Sequence, residues 1–528
     1  MMKRVLVMDG VAEIGLATLR KEPDIEVVIG NKMTEEQLIE IIGGFHAMIV
    51  RSATNVTAKV LEHADKMVIV GRAGVGIDNI DVAAATNKGV IVVNAPDGNT
   101  IAATEHTIAM MMALTRNIPQ AWASLKAGVW DKKSFMGVEF RDKILGVIGL
   151  GRIGSAVAKR AQGLEMKVMA YDPYIGKDKA PSLGIRLVSL EELFQKADFI
   201  TNHLPLTKES KHIIGADAFA QMKDGVRIIN CSRGGVVDEA ALYQALVSGK
   251  VAGAALDVFE GEPVTDSPLF ELNNFIGTPH LGASTEEAQL NVAVDVSKDI
   301  VAALNDRFVK NAVNLPSLSP TVMAVVRPYL SLGEKMGMFA AQVVTGRTDR
   351  LEVTYSGELA YQEVGPITTA VVKGFLDTIL MGGVNFVNAN AQAKSRGIHL
   401  GQKTAGGTGD YANLITLRVV TDVDQVSVAG TIFGGSDARF VLIDDYHVDA
   451  VPEGHMLYVD HIDQPKIIGP VANLIGDHDI NISGMQVGRK TIGGRAVMIL
   501  NVDNSVPKET MAEIAKIPGV SGVKNIDL

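Results

Sequence analysis

The sequence predicts an α/β chain with two doubly wound parallel-sheet domains, an α+β region behind them and a small βαββαβ module at the end. Three observations predict this. At 528 residues the chain exceeds what one hydrophobic core can organise, so two to four domains are expected. Up to residue 306, short apolar runs of the kind buried on both faces alternate with helical patterns, as in parallel sheets. The stretch "NAVNLPSLSP" (311–320) then interrupts the pattern with two prolines and small polar residues, and reads as a linker.

The elements follow in order. The first sheet is read from "RVLVMD" (4–9), "AMIVR" (47–51), "MVIVGRA" (67–73) and "VIVVNAP" (90–96), followed by one long helical stretch over 100–118. The second sheet starts at Ile144 and continues through "KVMAYD" (167–172), "FITNHLPL" (199–206), "RIINCSR" (227–233), "GAALDVF" (253–259) and "FIGTPH" (275–280). A long amphipathic helix covers 284–306. Residues 321–450 mix helices with strands such as "RLEVTYSGEL" (350–359) and "QVSVAGTIF" (425–433). The last stretch gives strand 456–461, helix 467–477, strands 480–488 and 495–502, helix 508–516 and strand 519–526, a ferredoxin-like βαββαβ order.

Composition narrows the function classes. Hydrophobic residues make up 47% and charged residues 21%, which are globular values. The net charge of −10 argues against nucleic acid or an anionic membrane as partner, though a local Lys/Arg cluster can still take an anionic substrate. The single cysteine, Cys231, allows no intramolecular disulfide. The start "MMKRVLVMDG" runs directly into a strand pattern, so a cytoplasmic protein without a signal peptide is expected. No run of 18 apolar residues suggests a membrane span, and no Cys/His spacing suggests a metal.

The motif with the most chemistry is Gly149-x-Gly151-x-x-Gly154 in "ILGVIGLGRIG", between an apolar strand and an Ala-rich helix. Glycines there permit a tight turn and close approach to a pyrophosphate, which the helix N-terminus attracts. Asp172 ends the next strand, where it accepts from ribose hydroxyls and repels a 2′-phosphate. The following "PYIG" offers no arginine, so NAD is favoured over NADP. "GRAGVGID" (71–78) lacks the fingerprint spacing and reads as a strand-end loop, with Arg72 either aimed at a ligand or on the surface. Arg233 ends a buried strand before two glycines, suited to clamping a carboxylate or to a salt bridge that caps the turn. Glu262 and His280 follow the next two strands. Three such loops converge on one cleft, and a carboxylate beside an imidazole makes a proton-transfer pair.

Taken in order, "GLGRIG", "YDP", "NCSRGGVVDE", "DVFEGEP" and "PHLGAS" resemble the D-isomer-specific 2-hydroxyacid dehydrogenases over residues 1–315. With "GRAGVGIDN", "FMG" (135–137) and the added C-terminal regions, the whole chain resembles the long-form branch of that family, which oxidises D-3-phosphoglycerate with NAD on the way to L-serine. The resemblance implies Rossmann/flavodoxin-like sheets and a split substrate domain (1–97 and 286–312) interrupted by an NAD-binding domain (98–285). An intervening domain (317–452) and an ACT regulatory domain (455–528) follow. It places catalysis on Arg233, Glu262 and His280. Cofactor contacts fall on Gly149, Gly151, Arg152, Ile153, Gly154, Asp172, Leu204, Pro205, Cys231, Ser232, Asp257, Gly282 and Ala283. Substrate contacts fall on Arg51, Ser52, Arg72, Asn99, Thr100 and Lys132, the last where relatives often have arginine and reaching across from a second subunit. L-serine is the implied feedback effector, bound at the interface of ACT modules that pair across subunits, at His461, Asp463 and Asn481, although Pro465-Lys466 stands where the family has Pro-Gly. Arg439 and His447 are candidates for a separate anion site. A homo-oligomer, dimer or tetramer, is expected. Two alternatives stay open: a dehydrogenase for another 2-hydroxy acid such as 2-hydroxyglutarate, and an NADH-sensing corepressor-like binding protein.

Overall fold

The structure is a computed structural model that describes residues 2–176, 184–315, 320–407 and 410–528. Its first sheet is five-stranded and wholly parallel. The strands are β1 (Lys3–Val7), β2 (Ile25–Ile29), β3 (Ala47–Val50), β4 (Ile69–Arg72) and β5 (Ile91–Val93), in the order β2-β1-β3-β4-β5. β2 is absent from the sequence reading. It is an edge strand with a partly exposed pattern, so it lacks the continuous apolar run that marks its neighbours.

The second sheet contains β6 (Ile144–Ile148), β7 (Lys167–Tyr171), β8 (Arg186–Leu187), β9 (Phe199–Asn202), β10 (Val226–Asn230), β11 (Val251–Leu256) and β12 (Phe275–Gly277). All pairs are parallel in the order β12-β11-β10-β9-β6-β7-β8. The order reverses between β6 and β9, the switch point at which dinucleotides bind in Rossmann folds.

The connections between the two sheets place the cleft. The predicted helix over 100–118 is two helices, Thr100–Thr115 and Ile118–Lys126. Asn117 adopts a left-handed φ of 50° between them, and Pro119 sits in the first turn of the second. Helix Glu286–Leu304 returns to the first sheet, where Val292, Val296 and Ile300 share a core with Val5, Ile49 and Ile69. The first part of the predicted linker is docked rather than free: Val313 N–H donates to Val92 O at 2.7 Å, and Asn314 Oδ1 accepts from Val92 N–H. Residues 316–319 of that linker lie outside the described residues.

The third sheet contains β13 (Thr348–Gly357), β14 (His399–Ala405), β15 (Asn413–Thr421), β16 (Gln425–Phe433), β17 (Asp437–Ile443) and β18 (Tyr446–Ala450), in the order β14-β13-β15-β16-β17-β18. Only the β13–β14 pair is parallel. The fourth sheet, β19 (His455–Ile462), β20 (Ile482–Arg489), β21 (Arg495–Val502) and β22 (Val520–Asp527), is antiparallel in the order β20-β21-β19-β22, with helices Ile468–Asp477 and Lys508–Ile514. Its far face is also covered. Met456, Tyr458, Val497, Ile499 and Ile526 join the core under helix Pro320–Val343, with the Phe339 and Tyr458 rings 6.2 Å apart. The third and fourth sheets therefore share one apolar interior.

Candidate active site

The site begins at the strand ends of the second sheet. β6 delivers Gly149 in a left-handed conformation (φ 90°), open to glycine without steric cost. Helix Arg152–Gly163 starts after Gly151, and no side chain caps its N-terminus. Its first N–H groups thus have no side-chain acceptor, which fits a pyrophosphate there. Asp172 Oδ2 accepts from Leu150 N–H at 2.8 Å, so the carboxylate also holds the glycine loop against the end of β7. Arg152 Nε lies 2.7 Å from Asp97 Oδ1, linking the loop to the crossover segment. Ile153 is half-buried on the same helix. Leu204 and Pro205 follow β9, where Leu204 N–H bonds Asn202 Oδ1. Ser232 Oγ accepts from Asn202 Nδ2 at 2.6 Å. Burial pushes the Cys231 thiol upward, so it is a neutral wall rather than a nucleophile.

The proton-transfer pair lies after β11 and β12. His280 Nδ1 lies 2.7 Å from Glu262 Oε2, and because an ionised carboxylate only accepts, Nδ1 carries the proton. The other ring nitrogen is left as the acceptor. Burial works to raise Glu262, but the hydrogen bonds from His280 and from Phe259 N–H outweigh it and hold the carboxyl below its ordinary value. His280 has a left-handed φ of 55°, an unusual backbone for a non-glycine residue, and its N–H donates to Asp257 O at 2.9 Å. Asp257 is buried and accepts from the N–H groups of Leu281 and Gly282 at 2.7 and 2.8 Å, which fixes the Gly282–Ala283 turn. A cavity of about 610 Å³ opens beside this pair, lined by Ser52, Phe259, Glu262, Phe270, Thr278 and His280 among others. Ser52 brings the first sheet into its wall.

Three guanidinium groups, on Arg51, Arg72 and Arg233, lie near enough for the charges of Arg51 and Arg233 to act on Arg72. Arg72 is held down to about 10, chiefly by burial and then by the charge of Arg233, with Arg51 adding to the effect. Its Nε donates to Asn79 Oδ1 at 3.1 Å. Arg51 makes no side-chain hydrogen bond among the described residues, while its backbone is fixed by Asp9 and Asn79. Arg233 Nε donates to Asp78 Oδ2 at 3.1 Å. The glycines of "GRAGVGID" now have a reason. A Cβ on Gly74 would collide with the Arg72 guanidinium, and one on Gly76 with that of Arg233. At the N-terminus of helix Thr100–Thr115, Asn99 Oδ1 and Thr100 Oγ1 are buried without a hydrogen-bond partner among the described residues, as ligand-facing atoms would be. Lys132 lies in an exposed loop and makes no hydrogen bond or ion pair among the described residues.

Sequence comparison decides the family. The model described as D-isomer specific 2-hydroxyacid dehydrogenase, NAD binding domain, matches residues 108–282. The D-3-phosphoglycerate dehydrogenase intervening domain matches 325–444, and the ACT domain matches 455–519. The D-3-phosphoglycerate dehydrogenase of Methanocaldococcus jannaschii is 46% identical over 528 residues, covering 100% of both chains. The chain belongs to the D-3-phosphoglycerate dehydrogenase family. The Bacillus subtilis enzyme of that name is 42% identical over 527 residues, again covering 100% of each chain. Among solved structures, the apo-structure of D-lactate dehydrogenase from Escherichia coli covers 59% of this chain and 99% of its own, at 28% identity and a TM-score of 0.52. A glyoxylate reductase from Paecilomyes thermophila covers 59% and 98%, at 28% identity and a TM-score of 0.55. Both alignments span about the length of the first two sheets, so the third and fourth belong to the long form.

In the ACT-matched region, the sequence-predicted effector residues are not brought together within one chain. Asp463 follows the end of β19, whereas Asn481 precedes β20. The register pairs Ile482 and His455 with the same residue, Val502, so Asn481 lies at the opposite end of the sheet. Eight residues of strand separate them, roughly 25 Å. Asp463 is engaged by Arg489 at 2.9 Å, and Asn481 Nδ2 donates to Asp503 Oδ2 at 3.1 Å. His461 is buried, with Nε2 unpartnered. Lys466, in the family's glycine position, has a left-handed φ of 69° and is exposed. Arg439 is taken up by Asp437 and by Asp449 (3.2 Å), which leaves the predicted anion site without a free guanidinium.

Sequence reading missed Asp78 and Asn79, which partner Arg233 and Arg72, and His106, whose Nε2 lies 3.2 Å from Asp257. Asp78 and Asn79 stand in the quoted "GRAGVGIDN", but nothing in the spacing separates them from ordinary loop residues. His106 is a lone polar residue on an apolar helix and carried no signal.

Proposed function

We infer that the chain is an NAD-dependent dehydrogenase that oxidises D-3-phosphoglycerate to 3-phosphohydroxypyruvate, the first committed step toward L-serine. The observation that supports this reading is the 2.7 Å His280–Glu262 pair, accompanied by a cluster of arginines in which the charges of Arg51 and Arg233 act on Arg72. NAD, when bound, supplies the acceptor for the hydride that leaves C2. The pyrophosphate is assigned to the glycine loop and the N-terminus of helix Arg152–Gly163, the adenosine ribose to Asp172, and the carboxamide to Asp257. Arg233 takes the substrate carboxylate as a fork. His280, with Nδ1–H committed to Glu262, offers Nε2 to the 2-hydroxyl and receives its proton as the carbonyl forms. Glu262 fixes the tautomer and stabilises the resulting imidazolium. Arg51 and Arg72 meet the phosphate, with Ser52, Asn99 and Thr100 beside it.

The domain division proposed with this function is 1–97 with 286–312 for substrate, 98–285 for NAD, 317–452 intervening and 455–528 regulatory. A homo-oligomer, dimer or tetramer, accompanies it. Trp122, Leu125, Trp130 and Met136 expose apolar surface around Lys132, and burial against a second copy would bring Lys132 to that copy's phosphate. L-serine is the proposed effector, with His461 and Asp463 from one chain and Asn481 from another, which agrees with their separation in a single chain. No helix among the described residues is long and apolar enough to cross a membrane, and a cytoplasmic location is proposed.

A panel of 2-hydroxy acids with NAD, followed by NADH absorbance, tests the assignment. D-3-phosphoglycerate should have the highest kcat/KM. Preference for 2-hydroxyglutarate would overturn the substrate, and NADH binding without turnover of any acid would favour a sensing role. L-serine titration of wild type and Asp463→Ala tests the effector site, since inhibition should weaken in the variant.

A further inference from the structure

We propose that His106 is a positioning residue for the cofactor's carboxamide: it fills one oxygen of Asp257, so that the other is the acceptor presented to the nicotinamide end of NAD. His106 lies on helix Thr100–Thr115, far in sequence from the residues it meets. Its Nε2 is 3.1 Å from Thr278 Oγ1 and 3.2 Å from Asp257 Oδ1. Thr278 Oγ1 has one proton and donates it to Asp257 Oδ1 at 2.6 Å. Its oxygen therefore accepts from His106, and the network assigns the imidazole proton to Nε2, aimed between the threonine and the carboxylate.

The donors around Asp257 are unevenly shared. Oδ1 receives Thr278 Oγ1–H, Leu281 N–H at 2.7 Å and His106 Nε2–H. Among the described residues, Oδ2 receives only Gly282 N–H, at 2.8 Å. A carboxylate offers about four acceptor positions. The capacity that remains lies on Oδ2. The terminal torsion of aspartate is soft, so the carboxylate plane is set by its partners. His106 and Thr278 hold Oδ1 on the helix side, and this keeps Oδ2 toward the Gly282 turn. The same donors keep the group ionised. Burial works to raise Asp257, but the hydrogen bonds from His106, Thr278 and Leu281 bring it below its ordinary value. A protonated Asp257 would set a donor against the amide N–H it has to accept from.

This inference rests on the reading that Asp257 takes the carboxamide, and the experiment separates the two. Affinities for NADH and for ADP-ribose, which lacks the nicotinamide, are measured by titration calorimetry on wild type, His106→Leu, His106→Gln and Asp257→Asn. His106→Leu should bind NADH roughly tenfold more weakly and ADP-ribose within about twofold of wild type. His106→Gln, which retains a donor, should recover most of the NADH affinity. Asp257→Asn should show the same split as His106→Leu. If Asp257→Asn splits the two ligands and His106→Leu weakens both equally or neither, His106 is structural and the proposal is wrong. If Asp257→Asn shows no split, the carboxamide reading fails and takes the proposal with it. Should His106→Leu not fold, His106→Phe, which keeps ring volume without a donor, carries the same two outcomes.

Discussion

Arg233 Nε donates to Asp78 Oδ2 at 3.1 Å, and this ion pair joins the loop after β10 to the loop after β4. The pair occupies part of the fork proposed to take the substrate carboxylate. Asp78 is largely exposed, so the bond is weak enough to be exchanged. Replacing Asp78 by Ala should therefore lower the KM for D-3-phosphoglycerate by up to about fivefold, with kcat little changed. Initial-rate kinetics check this. A raised KM would show that Asp78 positions Arg233 rather than competing for it.

Glu262 should act as an orienting anion throughout the neutral range. Its folded value lies below the ordinary carboxyl value of about 4.3, which is the depressed case. The stability it contributes is fully present above the unfolded value and is lost as pH falls through the folded one. The stability difference between wild type and Glu262→Gln should thus be flat from neutral pH down to about 5 and shrink only below about 4.3. Urea unfolding at stepped pH measures it. The same variant should lose about a hundredfold in kcat at neutral pH.

Arg72 tests the phosphate pocket. Arg72→Met should penalise D-3-phosphoglycerate far more than unphosphorylated 2-hydroxyglutarate in kcat/KM, by roughly 1.5–3 kcal/mol for a charge-assisted bond. An equal loss on both substrates would mark Arg72 as structural.

The sequence singles out the proposed catalytic trio for a physical reason. Arg233, Glu262 and His280 each follow an apolar run that can only be a buried strand, and parallel strands deliver their C-terminal ends to one edge. Asp172 was legible in the same way. Asp78, Asn79 and His106 act through contacts made between separate parts of the chain. Thr278, which His106 meets, is 172 positions away, and no local pattern encodes that distance. β2 was missed because an exposed edge strand loses its apolar signature. The distance between Asp463 and Asn481 within one chain follows from the strand order β20-β21-β19-β22, which the βαββαβ pattern does not convey.

The contact between the third sheet's domain and the first sheet turns on Gly89. This residue has a left-handed φ of 80°, and a Cβ there would approach Asn385 Nδ2 to 2.5 Å, while the same amide donates to Gly89 O at 2.8 Å. Gly89→Ala should cost about 1–3 kcal/mol from backbone strain and lost docking. Chemical denaturation followed by tryptophan fluorescence and by activity would measure it. A neutral effect would mean that the docking is not maintained in solution.

The central claim is that His280 takes the proton while hydride leaves C2 of D-3-phosphoglycerate. The most direct measurement is single-turnover NADH formation by wild type and His280→Gln, with NADH and substrate affinities measured on the same preparations. Wild type should form NADH from D-3-phosphoglycerate, and the variant should slow this step at least a hundredfold while both affinities stay within about threefold. A variant that forms NADH at the wild-type rate, or a wild type that forms none from this substrate, would contradict it.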